Sequence, residues 1–288
     1  MPTCVIFCGG EFTALARPIR ETDYLLAADS GLTHMQTLGL TPHGIIGDFD
    51  SLGYVPQGAQ VFPVEKDDTD SRLAIRKGLE LGYRDFLLYG ALGGKRLDHT
   101  LANLQALRFL ADHGARGCLV GKDVSVTTVT DGTATFPAAA KGILSVFCLG
   151  ESVTGVTLQG LKYTLENARL TPGFPLGVSN RFLGKEATVT VKNGTLFLLF
   201  DTTTPTPDFH TPKASPVRGR EPVRCRWQMK HRRSVCRGRQ DASLLRQAQR
   251  LPGTANGDPR RFTQGIATPT CGGLAMTGKL GRRWGIGG

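Results

Sequence analysis

The chain has 288 residues, 40% of them hydrophobic and 20% charged, enough for a sizeable core and, at ~100–200 residues per domain, for two domains. No apolar run reaches the ~20 residues that cross a bilayer as a helix. The opening MPTCVIFCGGEF lacks the basic n-region and cleavage pattern of a signal peptide, so a cytoplasmic protein is expected. The formal charge of +11 is unevenly placed, with 18 Lys+Arg against 20 Asp+Glu in residues 1–204 and 17 against 4 in residues 205–288, which argues against a uniformly basic nucleic-acid binder.

From residue 3 to about 125, strand-like apolar runs alternate with helix-like segments. TCVIFC, DYLLAA, HGII, AQVFPV, DFLLYGAL and GCLVG read as strands, and THMQTLG, TDSRLAIRKGLELG and HTLANLQALRFLADHG as helices. In the last of these, Leu101, Leu104, Leu107 and Leu110 or Ala111 recur at helical spacing, and Gly114 supplies a stop. This alternation predicts an α/β fold: a mostly parallel, Rossmann-like sheet with flanking helices over residues 1–123. After that the helical period gives way to β-branched runs, with Asp131-Gly132 and Asn193-Gly194 as hairpin turns. A small antiparallel β-sandwich over 124–203 is predicted.

Residues 204–288 are rich in Arg, Gly and Pro, with no sustained apolar period, so a basic, disordered tail is expected. An arginine-rich arm for nucleic acid or a membrane surface competes with an appended tail that has no part in the chemistry. The second is preferred, because no recognition motif or interleaved aromatics accompany the charge. Cys4, Cys8, Cys118 and Cys148 lie in apolar runs without zinc-ligand spacing and read as buried free thiols.

Candidate chemistry gathers at the C-terminal ends of successive predicted strands, where open α/β sheets bind ligands. Asp29-Ser30-Gly31 follows the second strand and Gly47-Asp48-Phe49-Asp50-Ser51 the third. Lys66-Asp67-Asp68-Thr69-Asp70 follows the fourth, and Gly93-Gly94-Lys95-Arg96-Leu97-Asp98-His99 the fifth. On an extended segment Asp48 and Asp50 point the same way and repel unless a positive charge lies between them. Mg²⁺ supplies that charge most simply, binding one or two carboxylates together with substrate phosphates. The glycines of GALGGKR, the N-terminus of the next helix and Lys95 or Arg96 would cradle the phosphates. Each residue also has an ordinary structural reading: Asp68 or Thr69 as a helix cap, His99 as a first-turn residue, Lys95 as a solvated loop lysine, and Asp98 with Arg96 as an ion pair. The motifs GxxxxGK[ST], GxSxG and HExxH are missing, and Gly9-Gly10 is not a dinucleotide fingerprint.

The ordered set DSG, GDFDS, KDDTD and GALGGKRLDHTLANL resembles the thiamine pyrophosphokinases, and GLKYTL and GVSN resemble that family's thiamine-binding domain; together they cover about residues 1–203. The resemblance implies a Mg²⁺-dependent enzyme that moves the pyrophosphoryl group of ATP to the thiamine hydroxyl, giving thiamine diphosphate and AMP. It also implies a homodimer with thiamine bound between subunits. Carried over by position, Asp48, Asp50, Asp67 and Asp70 hold metal and polyphosphate. Asp29, Ser30 and Gly31 line the nucleotide side; Lys66, Thr69, Gly93, Gly94, Lys95, Arg96 and His99 lie toward the phosphates. Asp98, Ser179 and Asn180 meet thiamine, with Asp48, Asp70 and Asp98 as the catalytic set and Asp98 as candidate base. Family members commonly read GGRLDH, whereas Lys95 here separates Gly94 from Arg96. The competing functions are a Mg²⁺-dependent phosphohydrolase using the same acids and a nucleic-acid protein working through the tail.

Overall fold

Every residue of the first strand, β1 (Cys4–Phe7), is buried, as expected of a strand covered on both faces. The computed structural model describes residues 2–210. Four more strands, β2 (Tyr24–Ala28), β3 (Gly44–Gly47), β5 (Asp85–Tyr89) and β6 (Arg116–Val120), join β1 in parallel, with a two-residue edge strand, β4 (Gln60–Val61). Along the sheet the order is β4-β3-β2-β1-β5-β6. The chain runs outward from β1 to β4 and then returns to the other side of β1. That reversal opens a crevice at the C-terminal ends of β1 and β5, the usual ligand position in open α/β sheets.

Strand alternation assigns the faces. Val5, Phe7, Leu25, Ala27, Leu87 and Tyr89 share a core with Leu32 and Met35 of α1 (Gly31–Thr37). Cys4, Ile6, Leu26, Phe86 and Leu88 pack on the other face with Ala74 and Ile75 of α2 (Asp70–Glu80) and with Ala106, Leu107 and Leu110 of α3 (Leu97–Asp112). Two expectations are corrected here. The buried stripe of α3 runs through Asn103, Ala106, Leu107 and Leu110, with Leu104 partly buried against the core, while Leu101, near the start of the helix, is 54% exposed and outside the stripe. AQVFPV contributes only β4, because Pro63 has no N–H for a ladder and Val61 and Val64 face solvent.

The second half is antiparallel. β7 (Val124–Thr130) pairs with β6, and β13 (Asn193–Asp201) pairs with both β7 and β9 (Ile143–Gln159), so the ladder continues without a break from the parallel strands. The 17-residue β9 leaves β13 near Gly150 and then pairs with β10 (Leu165–Leu170) and β12 (Ala187–Thr190), while β11 (Asn180–Arg181) flanks its start. Gly150 and Gly155 have φ of +125° and +68°, a backbone that glycine adopts freely, and this lets the strand bend from one ladder to the next. β8 (Thr133–Phe136) pairs with β12 and with β14 (Asp208–His210).

β14 corrects the expected start of the tail at 204. Thr204 is buried, and Phe209 packs against the core. The remainder of the expected tail, 211–288, lies outside the described residues. Among the described residues no helix is long and apolar enough to cross a membrane. Cys4, Cys8 and Cys118 are buried free thiols, each pushed up to about 12 by burial, and Cys148 is partly exposed.

Candidate active site

Tight backbone contact shapes the crevice floor. A Cβ on Gly10 would lie 2.5 Å from the carbonyl oxygen of Gly90, and Gly90 and Gly93 have φ of +63° and +76°. Only glycine fits such close approach and such dihedrals without strain. The turns after β1 and β5 therefore stand side by side and wall a cavity of about 710 Å³.

That cavity brings together Asp29, Ser30, Asp48, Asp50, Lys66, Thr69, Asp70, Gly93, Gly94, Lys95, Arg96 and His99 from the segments that follow four strands, β2 to β5. Five other expected residues do not line it. Gly31 instead lets α1 approach the backbone of Phe7, where a Cβ would clash. Asp67 is exposed, and Asp68, beside it, faces the cavity in its place. Asp98 pairs with Arg96, whose Nη2 donates to Oδ2 at 2.6 Å and whose Nε donates to Oδ1 at 2.9 Å. Ser179 and Asn180 lie in the antiparallel half. Asn180 is buried, accepting from the Tyr163 N–H at 2.9 Å and donating to the Tyr163 carbonyl at 2.6 Å, so it pins the 161–164 turn.

The segment GDFDS is not extended. Phe49 has φ of +62° and is 2% exposed, and the Asp50 N–H donates to Asp48 Oδ1 at 3.3 Å. The buried ring forces a turn whose two flanking carboxylates face the cavity. Asp29, Asp48 and Asp50 each offer an oxygen within 4.8 Å of the others. Asp29 Oδ1 is buried without a hydrogen-bond partner, an expensive state for a carboxylate unless a cation completes it. The donor set is hard oxygen, so these residues fit Mg²⁺ better than a soft metal. The cluster contains two of the four expected metal ligands, Asp48 and Asp50, and adds Asp29.

The fourth expected ligand, Asp70, shares Lys66 with Asp48, since Lys66 Nζ lies 2.5 Å from Asp48 Oδ2 and 3.0 Å from Asp70 Oδ1. Hydrogen bonding to Lys66 holds the Asp48 carboxyl below its usual range despite partial burial. Burial pushes Asp70 up, only partly offset by Lys66. Burial opposes the charge on Lys66, but its two carboxylate partners outweigh that and raise its pKa. For Asp98, the Arg96 guanidinium lowers the carboxyl to about 2.

Several residues lining the cavity were not anticipated. Gly9 and Gly10 follow the first strand, and strand-end reasoning applied to β1 as to β2–β5 would have included them. Asp68 is nearly buried and ion-paired with Arg72 Nε at 3.3 Å and Arg76 Nε at 2.8 Å. Asn103 accepts from Ser71 Oγ at 2.6 Å and donates to the Ala91 carbonyl at 2.9 Å, tying α2, α3 and the turn after β5 together. Its signal in the sequence is a polar residue interrupting an apolar helix face. Thr69 is the N-cap of α2, accepting from the Arg72 N–H at 3.3 Å, so its capping role is real even though it faces the cavity.

A reversed-order sheet with a cavity at its strand ends defines the class of open α/β proteins, whose ligands bind at the switch point. Comparison with known proteins narrows the class. Residues 15–119 match the family model described as "Thiamin pyrophosphokinase, catalytic domain", and 135–196 match "Thiamin pyrophosphokinase, vitamin B1 binding domain". The thiamine pyrophosphokinase of Bacillus subtilis (strain 168) is 27% identical over 214 residues, covering 70% of this chain and all of that protein. The crystal structure of thiamine pyrophosphokinase from Bacillus subtilis superposes with a TM-score of 0.61 at 25% identity, covering 70% of this chain and 99% of the other. That from Geobacillus thermodenitrificans gives 0.59 at 28%, with 70% and 97% covered. The chain belongs to the thiamine pyrophosphokinase family.

Proposed function

We propose that this chain is a thiamine diphosphokinase that transfers the pyrophosphoryl group of ATP to the hydroxyl of thiamine, giving thiamine diphosphate and AMP with Mg²⁺ required. The observation that carries the reading is the match of both family domains, in order, to a chain whose catalytic-domain half holds the acid-and-glycine cavity. Asp29, Asp48 and Asp50 would hold Mg²⁺, which when bound neutralises polyphosphate charge and polarises the phosphorus under attack. Gly9, Gly10, Gly93 and Gly94 allow the polyphosphate close to the backbone, while Lys95, Arg96 and His99 line the cavity mouth for its outer oxygens. The thiamine alcohol attacks the β-phosphorus in line and AMP leaves. The residues contribute position and charge more than covalent chemistry.

Asp98 was the sequence candidate for general base. A carboxyl at about 2 has little affinity for a proton at neutral pH, so orienting thiamine suits Asp98 better. Asp70, partly buried and with its pKa raised by that burial, is the better-matched proton acceptor within the cavity. The organisation proposed is a doubly wound nucleotide domain over 1–123 and a β-sandwich thiamine domain from 124, working in the cytoplasm as a homodimer. Phe174, Leu176 and Leu183, between 44% and 64% exposed, support a subunit contact beside Ser179, through which the thiamine-binding face of one subunit would meet the cavity of the other. Incubating the protein with ATP and Mg²⁺, with and without thiamine, tests the reading. AMP formed only when thiamine is present supports it, and nucleotide hydrolysis that ignores thiamine assigns a phosphohydrolase instead.

A further inference from the structure

Asp48 has two claimants. Its Oδ2 accepts from Lys66, and the same carboxylate belongs to the Asp29–Asp48–Asp50 cluster that suits a divalent cation. An ammonium and a divalent cation on one carboxylate repel each other, so filling one position weakens the other. Building on the function proposed above, we propose that Lys66 is an internal counter-cation: it neutralises Asp48 and Asp70 in the nucleotide-free chain, and it gives up Asp48 to pair with phosphate when the metal-bound polyphosphate enters.

Three features support this exchange. Lys66 lies in the irregular stretch between β4 and α2, so its four-carbon stem can swing without disturbing a helix or strand. Lys66 is the cation in contact with both Asp48 and Asp70, whereas Lys95 and Arg96 line the same cavity from the loop after β5, where Arg96 pairs with Asp98. The neighbouring acid, Asp68, has its own partners in Arg72 and Arg76, so Lys66 serves the cavity and is not needed to hold the turn. Metal alone would then bind weakly, and metal and nucleotide would strengthen each other, since linkage is reciprocal.

The test needs no turnover. Mn²⁺ is titrated into the full-length protein without nucleotide, and free Mn²⁺ is followed by its electron paramagnetic resonance signal. Lys66→Met is expected to bind Mn²⁺ at least about tenfold tighter than the unaltered protein. Unchanged or weaker binding overturns the proposal, because a lysine that only binds phosphate or shapes the turn gives no gain. A second measurement uses the unaltered chain, so that a folding defect in the variant cannot decide the matter. The acetylation rate of the Lys66 amine, read by mass spectrometry, should rise on adding Mn²⁺, and no change or a fall counts against the exchange. Absence of thiamine-dependent AMP formation by the unaltered enzyme would refute the functional reading and leave these binding results standing.

Discussion

Phe49 explains why two acids close in sequence serve one site. Its ring is in the core with φ of +62°, so Asp48 and Asp50 flank a turn and do not project from a strand. The sequence showed which residues gather there, because strand-end acids in a parallel sheet share an edge. It did not show the partner of Asp48, because Lys66 is 18 residues away and meets it only across the loop after β4. The neighbours Asp67 and Asp68 were likewise indistinguishable in sequence, and only the direction of the turn selects Asp68. Asp48→Asn, which removes a charge at the centre of this arrangement, should lower turnover about 10²–10³-fold. Asp98→Asn should raise the KM for thiamine and leave the acidic limb of the pH–rate profile unmoved, because a carboxyl at about 2 stays ionised across that limb. A shift of that limb in the Asp98 variant would restore it as the base.

At the scale of elements, alternation and periodicity were legible wherever burial is continuous, as in β1, β2, β5 and α2. They failed at edges and connections. The β1–β2 and β3–β4 connections carry no helix, and only contacts reveal what orders them. In the first, Asp23 is buried and accepts from Arg17 Nη1 at 2.6 Å and from the Arg20 N–H at 2.9 Å. Burial raises its pKa, but these hydrogen bonds outweigh it and the carboxyl ends below its usual range. Its stabilisation is therefore present above the unfolded carboxylate value of ~3.9 and is lost as pH falls through the folded value. Asp23→Asn should cost about 1.5–3 kcal/mol in urea unfolding at pH 7, with the gap to the unaltered protein closing below pH ~4. Asn103→Ala leaves the Ala91 carbonyl without its side-chain donor in the interior and Ser71 with only its Thr69 hydroxyl contact, and should cost about 1–3 kcal/mol by the same measurement.

For the molecule as a whole, composition located the charge break near 204, but structure carries the fold to His210. Polar, proline-rich TPTPD gave no period that would announce a strand, and Phe209 was too isolated to read as core. Yet β14 completes the edge beyond β8, and the Arg116 guanidinium lies 5.3 Å from the Phe209 ring centre. A chain ending at residue 203 should lose about 1–2 kcal/mol relative to one ending at 210, from the buried part of Phe209 alone, seen as a lower urea midpoint. Pyrophosphoryl transfer moves the β- and γ-phosphates of ATP together. ATP labelled at the β-phosphorus and, separately, at the γ-phosphorus should each pass label to thiamine in equal yield with AMP left behind. Label from the γ position only, with ADP as the product, would contradict pyrophosphoryl transfer.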